Sequence, residues 1–245
     1  MIFIFIYNRK IKKGTIYQVK VKKIRFHKDM LKLILQYGIP SGIQNCVIAL
    51  ANVFVQSNIN SFGEDAMAGC GSYSKLEGFA FLPITSFTMA ISTFISQNLG
   101  AKERKRARTG ATFGILTSIT LAEIIGVLMW IFAPYCISIF NTDESVVSIG
   151  VLQCRTITLF YFLLAFSHCI AAVCRGAGKA FVPMLIMLAI WCVIRVIYIT
   201  IIMHFQNDIV YIFWAYPITW GLSSMIFLLY FLFSKWDRSF ERKNA

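Results

Sequence analysis

Long apolar segments, separated by short polar connectors, dominate this chain of 245 residues. Six of them are each long enough to cross roughly 30 Å of hydrocarbon at about 1.5 Å per residue. One such run could be a buried helix of a soluble protein, but six in succession are too many for one soluble core. Because lipid offers no partner to backbone polar groups, the segments are predicted to be helices. They cover residues 33–59, 76–96, 111–131, 147–173, 181–203 and 209–233.

The pattern therefore predicts an all-α membrane protein, with a bundle of six transmembrane helices over residues 33–233. The apolar run at residues 1–8 is too short to cross a bilayer and is expected to be the remnant of a preceding helix. Residues 9–32 are expected to form a basic cytoplasmic linker, and residues 234–245 a cytoplasmic tail.

Composition supports a lipid partner. Hydrophobic residues make up 58% of the chain and charged residues 14%, against roughly 45–50% and about 25% in an ordinary globular protein. Five aromatic residues near predicted span ends are expected at the headgroup level of the bilayer. They are Trp130, Tyr135, Trp214, Tyr216 and Trp236.

The net charge of +13 could indicate a nucleic-acid partner, but the position of the charges argues against one. Of the 24 Lys and Arg residues, ten, five, two and four fall in four connectors. These connectors are residues 9–32, 102–108, 175–179 and 235–243. If six helices alternate across the bilayer, all four connectors share one side, and the opposite loops, the first of them 60–75, carry five acids and one lysine. The positive-inside rule then predicts cytoplasmic N and C termini and no nucleic acid.

Ionisable residues inside the spans are the most informative positions, since each costs a few kcal/mol or more at the bilayer centre. Glu77 either binds a proton or sodium ion in a central cavity, or is an interfacial acid near the start of the second helix. Glu123, in the third span, is either buried and neutral or paired with Arg155 or Arg195. Arg195 is expected to carry a structural charge, and His168 either relays protons or packs among apolar neighbours.

A stripe of amides marks the first span. Asn45, Asn52 and Gln56 are seven and four residues apart, so they share one helix face. Such a stripe either lines a water-filled substrate path or makes hydrogen bonds between helices.

Catalytic and cofactor motifs are absent from the sequence. There is no Walker phosphate loop, no HExxH and no GxSxG, and the seven cysteines show no metal-ligand spacing. We therefore expect neither an enzyme nor a cofactor, and any transport would use an ion gradient or a separate subunit.

Several short motifs follow one another along the chain in a characteristic order. Gly38-Ile39-Pro40 opens the first span and QSNINSFG closes it at 56–63. KLEGFAFLP follows at 75–83, QNLGA at 97–101, and Arg175-Gly176-Ala177-Gly178 comes later. Over about residues 30–235 the chain resembles the C-terminal lobe of a bacterial multidrug and toxic compound extrusion (MATE) transporter.

The resemblance implies half of a twelve-helix fold whose two six-helix lobes are related by a pseudo-two-fold axis. Members export cationic, amphipathic drugs in exchange for sodium ions or protons. The resemblance makes Glu77 the best candidate for the coupling-ion ligand, with Glu123 as the alternative. Asn45, Asn52 and Gln56 would then line the substrate cavity, and no metal beyond sodium is expected.

The same resemblance leaves the assembly open. An N-terminal lobe or a homo-oligomeric partner is expected to complete the transporter in a bacterial inner membrane. The alternative is a truncated membrane remnant or scaffold that does not transport.

Overall fold

The computed structural model describes residues 25, 27–234 and 236–238. It divides into a small unit that ends at Gly38 and a main unit that begins at Ile39. The predicted helix remnant at 1–8, most of the predicted linker and most of the predicted tail lie outside the described residues and stay predictions.

Helices account for most of the described residues, and no strand occurs among them. In chain order they are α1 (Lys28–Asn60), α2 (Glu64–Gly100), α3 (Arg104–Ile131), α4 (Ala133–Ser138), α5 (Glu144–Ile157), α6 (Tyr161–Gly176), α7 (Phe181–Met187), α8 (Arg195–Phe205) and α9 (Ile209–Phe233).

The prediction of an all-α membrane fold is confirmed. Within the described part of the chain, six helical stretches are long and apolar enough to cross a membrane: α1, α2, α3, 144–176, 181–205 and α9. Many of their large apolar side chains are exposed, which suits a surface that faces lipid.

The second span begins much earlier than the sequence predicts. Residues 60–75 were expected to be an external loop, but the chain turns only at 61–63 and α2 starts at Glu64. Gly63 adopts φ +100 at this turn, a conformation that favours glycine. The extra helix is stabilised by packing, because Ala66, Cys70 and Tyr73 are each only 1% exposed.

The fourth and fifth spans are not continuous α-helices. A 3-10 turn, Thr158–Phe160, separates α5 from α6, and a π-helical segment, Leu188–Ile194, separates α7 from α8. π turns inside helices are often found at functional sites.

Helix α6 forms the centre of the main unit and contacts α2, α3 and α9. Every residue from Cys169 to Cys174 is at most 1% exposed, so this part of the helix is enclosed on all sides. Glycine lets its neighbours approach closely: a Cβ atom at Gly176 would lie 2.6 Å from the carbonyl oxygen of Ser92 in α2.

After α9, a short 3-10 turn, Trp236–Arg238, returns to the start of α3. Asp237 accepts a hydrogen bond from Arg108 at 2.8 Å, and the Trp236 ring stacks on Phe231. Burial raises the pKa of Asp237, but the hydrogen bond and positive charge of Arg108 outweigh it and leave that pKa below its ordinary value.

Candidate functional site: a charged cavity between the spans

A cavity of about 330 Å³ opens between α1, α2, α6, the π segment and the flanking helices α8 and α9. It is within the size range of small-molecule sites. Its polar wall includes Asn45, Asn52, Ser74, Glu77 and Arg195. The cavity therefore collects one carboxylate, one guanidinium and two amides from three separate helices, α1, α2 and α8.

Glu77 faces this cavity from about a third of the way along α2. It lies 13 residues after the first residue of the helix, which is about 20 Å along the axis. Glu77 is therefore not near the start of its helix, whereas its depth in the bilayer stays a prediction. Its Oε1 atom accepts a long hydrogen bond of 3.4 Å from the Tyr73 hydroxyl, and Tyr73 is 3.0 Å from the Tyr161 hydroxyl.

Arg195 is the fixed cation of the cavity. It is 1% exposed, and its Nε and Nη2 atoms donate to Thr219 Oγ1 at 3.2 Å and 2.7 Å. Its guanidinium carbon lies 4.6 Å from the Tyr216 ring centroid and 5.6 Å from that of Trp191, both within reach of a cation–π interaction. These contacts hold the charge in the wall of the cavity.

The three amides of the first span do not share one environment. Asn45 and Asn52 line the cavity, and Asn52 Oδ1 accepts from Arg195 Nη1 at 3.5 Å. Gln56 is not among the lining residues, and instead donates to Asn60 Oδ1 at 2.9 Å. The neighbouring Gln44 is buried and donates to the Met187 sulfur.

His168 and a group of aromatic rings form the apolar wall. The His168 ring meets Phe81 edge-on at 5.1 Å and Trp191 at 5.3 Å. Its Nε2 atom is buried and has no hydrogen-bond partner among the described residues. This arrangement favours the interpretation that His168 packs among apolar neighbours. No hydrogen-bond partner of Nε2 among the described residues could pass a proton on.

Glu123 lies in a different place, on the outer side of α3. Its Oε2 atom accepts from the Phe162 backbone N–H at 3.2 Å, near the start of α6, where the 3-10 turn interrupts the normal helical bonding. The predicted pairing with Arg155 or Arg195 is wrong: Arg195 bonds to Thr219 and Asn52, and Arg155 lies over the Trp130 ring at 5.5 Å.

The donor atoms of the cavity suit a small hard cation. Glu77 supplies a carboxylate, Asn45 an amide oxygen and Ser74 a hydroxyl, and oxygen ligands are those that hard cations prefer. The amide oxygen of Asn52 already accepts from Arg195. The carboxylate could equally hold a proton. Across the described residues, no group of three His, Cys, Asp or Glu side chains could hold a metal ion.

Several lining residues were not predicted from the sequence. Tyr216 was expected at the headgroup level because it lies near a span end, but it lines the cavity and stacks on Arg195. Ser74 lies on the part of α2 that was predicted to be a loop. The one signal in the sequence was Arg195 itself, because an arginine within a membrane span needs partners and aromatic rings can provide them.

These features define a helical membrane protein with an ionisable cavity enclosed by its spans. A family model described as MatE matches residues 40–201, which is more than half of the chain. The chain belongs to the MatE family.

Three similar proteins illustrate the relationship. The probable multidrug resistance protein YoeA of Bacillus subtilis is 25% identical over 233 residues, which are 94% of this chain and 50% of that protein. The probable multidrug resistance protein NorM of Thermotoga maritima is 25% identical over 208 residues, 84% of this chain and 45% of that protein. A solved crystal structure described as MATE in complex with MaL6 has a TM-score of 0.84 at 19% identity, and covers 100% of this chain and 54% of that chain.

The chain thus spans about half the length of the curated relatives it matches. The likeness to solved structures establishes the six-helix lobe as its fold.

Proposed function

We propose that this chain takes part in secondary active multidrug efflux in a bacterial inner membrane. In this proposal cationic, amphipathic compounds leave the cell in exchange for sodium ions or protons, and both chain termini face the cytoplasm. The observation that carries the proposal is the meeting of Glu77, Asn45, Asn52 and Arg195 at one cavity. The description of YoeA and NorM as probable multidrug resistance proteins supports it.

Glu77 is the proposed coupling-ion ligand. When it is ionised, its negative charge attracts a cationic substrate, whose apolar body contacts the rings of Phe81, Trp191 and Trp220. When Glu77 takes up a proton or a sodium ion, that attraction is lost and the constant charge of Arg195 disfavours the cation. Competition of two cations for one carboxylate thereby couples their movements.

The proposed transporter is larger than this chain. The partner that completes it is an N-terminal lobe or a second copy of the chain. Support comes from the relatives, which are about twice as long as the segment they share with this chain.

Efflux of a fluorescent cation from energised vesicles that hold a transport-competent assembly tests the proposal. Glu77→Gln keeps the size and polarity of the side chain but removes its charge, so efflux driven by a sodium or proton gradient should fall to background. Glu103→Gln, which removes an exposed carboxylate just before α3 and outside the cavity, is the matched control and should leave efflux near the parent rate. Glu123→Gln is measured beside it as the test of the alternative coupling ligand.

Normal efflux by the Glu77→Gln variant, with loss in Glu123→Gln, would move the coupling role to Glu123. If the parent assembly shows no gradient-driven efflux of any tested cation, the chain is a membrane scaffold or remnant and the proposed function is wrong.

A further inference from the structure

A second recess, on the outer side of α3, is not used by the proposed transport cycle. It has a volume of about 590 Å³ and lies between α3 and the start of α6. Its walls include Ile124, Val127, Leu128 and Phe162, and each of these side chains is at least 37% exposed. Since large apolar side chains on these spans face acyl chains rather than water, we call this recess the lipid-facing groove.

The 3-10 turn before α6 shapes this groove. A Cβ atom at Gly126 would lie 2.3 Å from the Thr158 carbonyl oxygen, so α3 is in direct contact with the 3-10 turn there. The helix resumes at Tyr161, and Phe162, on its first turn, contributes a wall of the groove.

One carboxylate lies in this apolar groove. Glu123 is partly exposed, and only its Oε2 atom has a hydrogen bond, from Phe162 N–H. No ion pair of Glu123 occurs with any lysine or arginine in the described part of the chain. Glu123 lies eight residues before the end of α3 at Ile131, or about 12 Å from that end of the helix.

An ionised carboxylate without a partner is costly at this depth; it avoids the cost by taking up a proton or by binding a cation, and only some cations suit this groove. An acyl chain would satisfy the apolar walls and leave the carboxylate without a partner. A hydrated metal ion would neutralise the carboxylate but cannot reach it through hydrocarbon. A lipophilic organic cation meets both requirements, because it partitions into the bilayer and carries its own positive charge.

We infer that the lipid-facing groove is a binding site for lipophilic organic cations that enter from the membrane. The cationic group contacts Glu123 Oε1, and the apolar body packs against Ile124, Leu128 and Phe162. Nothing in this inference depends on the coupling role of Glu77, because the two carboxylates line separate recesses.

Photolabelling of the full chain in lipid nanodiscs tests the site. The probe is a tetraarylphosphonium cation that carries a diazirine, and the reference is an uncharged tetraarylsilane of the same shape. The cation should label peptides that contain residues 119–128 or Phe162. The silane should label them roughly ten-fold less, as expected for the loss of one screened ion pair with a carboxylate.

Variants separate charge from fold. Glu123→Gln retains an acceptor for Phe162 N–H, so the fold should persist while cation labelling of the groove falls roughly ten-fold. Leu128→Trp fills the groove but keeps the carboxylate, and should also reduce labelling. Leu116→Trp, at an exposed position of α3 outside the groove, is its matched control, and Glu77→Gln should label like the parent.

Equal labelling by the cation and the silane would overturn the inference, because the groove would then be a contact for acyl chains alone. Undiminished labelling of Glu123→Gln would do the same. Loss of groove labelling in Glu77→Gln would assign the ligand to the cavity instead. Should Glu123→Gln fail to fold, the comparison of Leu128→Trp with Leu116→Trp decides the question.

Discussion

Gly126 lies against the backbone of Thr158 so closely that a Cβ atom at position 126 would be 2.3 Å from the Thr158 carbonyl oxygen. Thr158 is fully buried and opens the 3-10 turn in the fourth span. The absence of a side chain at 126 is therefore what allows α3 to pack against an interrupted helix.

Gly126→Ala should destabilise the fold by about 1–3 kcal/mol, because the new methyl group meets rigid backbone rather than a flexible side chain. Thermal unfolding in detergent measures the effect. Gly71→Ala is the control: a Cβ atom there meets nothing within 4 Å, so alanine should be neutral or slightly stabilising at this interior position of α2. Similar losses in both variants would show that the contact with Thr158 is not responsible.

Thr219→Val should cost about 1–3 kcal/mol of stability, since it preserves shape but removes the oxygen that accepts two bonds from Arg195. A second consequence is a mobile guanidinium, detectable as broadened Arg side-chain signals in NMR spectra. Thr200→Val provides the comparison, because that exposed hydroxyl bonds only to Val196 O on its own helix. An unchanged Thr219→Val variant would mean that the rings of Tyr216 and Trp191 suffice to hold Arg195.

The ion pair of Asp237 and Arg108 predicts a pH-dependent stability. Because the folded-state pKa of Asp237 is lowered, its stabilising contribution is present above the unfolded-state pKa and is lost as the pH falls through the lower folded-state pKa. Since Arg108 is 62% exposed, we expect only about 0.5–1 kcal/mol.

Asp237→Asn should therefore lower the unfolding temperature at pH 7 and match the parent in strong acid. Glu103→Gln, a change at an exposed acid just before α3, should show no such crossover. A difference between Asp237→Asn and the parent that persists unchanged in strong acid would contradict the ion-pair explanation.

The charge distribution predicts the orientation of the spans. In a cysteine-free background, Lys105→Cys should stay unlabelled by an impermeant maleimide in intact cells and become labelled after permeabilisation. Thr142→Cys, in the loop before α5, should be labelled in intact cells. Labelling of position 105 from outside would reverse the proposed topology.

The six spans could be predicted because hydropathy averages over many residues, and the sixth helix matches its predicted range of 209–233 at both ends. The start of α2 could not be predicted from hydropathy. Glu64, Asp65 and Lys75 make that stretch look like a connector, whereas the buried contacts of Ala66, Cys70 and Tyr73 depend on α5 and α6, which are distant in sequence. Tertiary packing outweighed local polarity here.

The position of the cavity could be predicted in part from the polar residues within the spans. Intramembrane Glu77, Asn45 and Asn52 are costly in lipid, so their inward position follows from composition. Gln56 fits the same helical spacing, yet it is not among the lining residues and bonds locally to Asn60. Neither the 3-10 turn at 158–160 nor the π segment at 188–194 leaves a mark in the hydrophobic pattern, because both preserve the apolar character of their spans.

The π segment makes the site sensitive to the length of the chain. Each π turn accommodates more residues than an α turn, and one residue corresponds to about 100° of rotation around an α-helix. Deleting Ala189 would remove no side chain that lines the cavity, yet it would let the α-helix close up and turn Arg195 away from Thr219. A one-residue deletion there should therefore be more harmful than most substitutions in the same segment, and insertions and deletions, rather than point changes, are the variation that the fifth span can least tolerate.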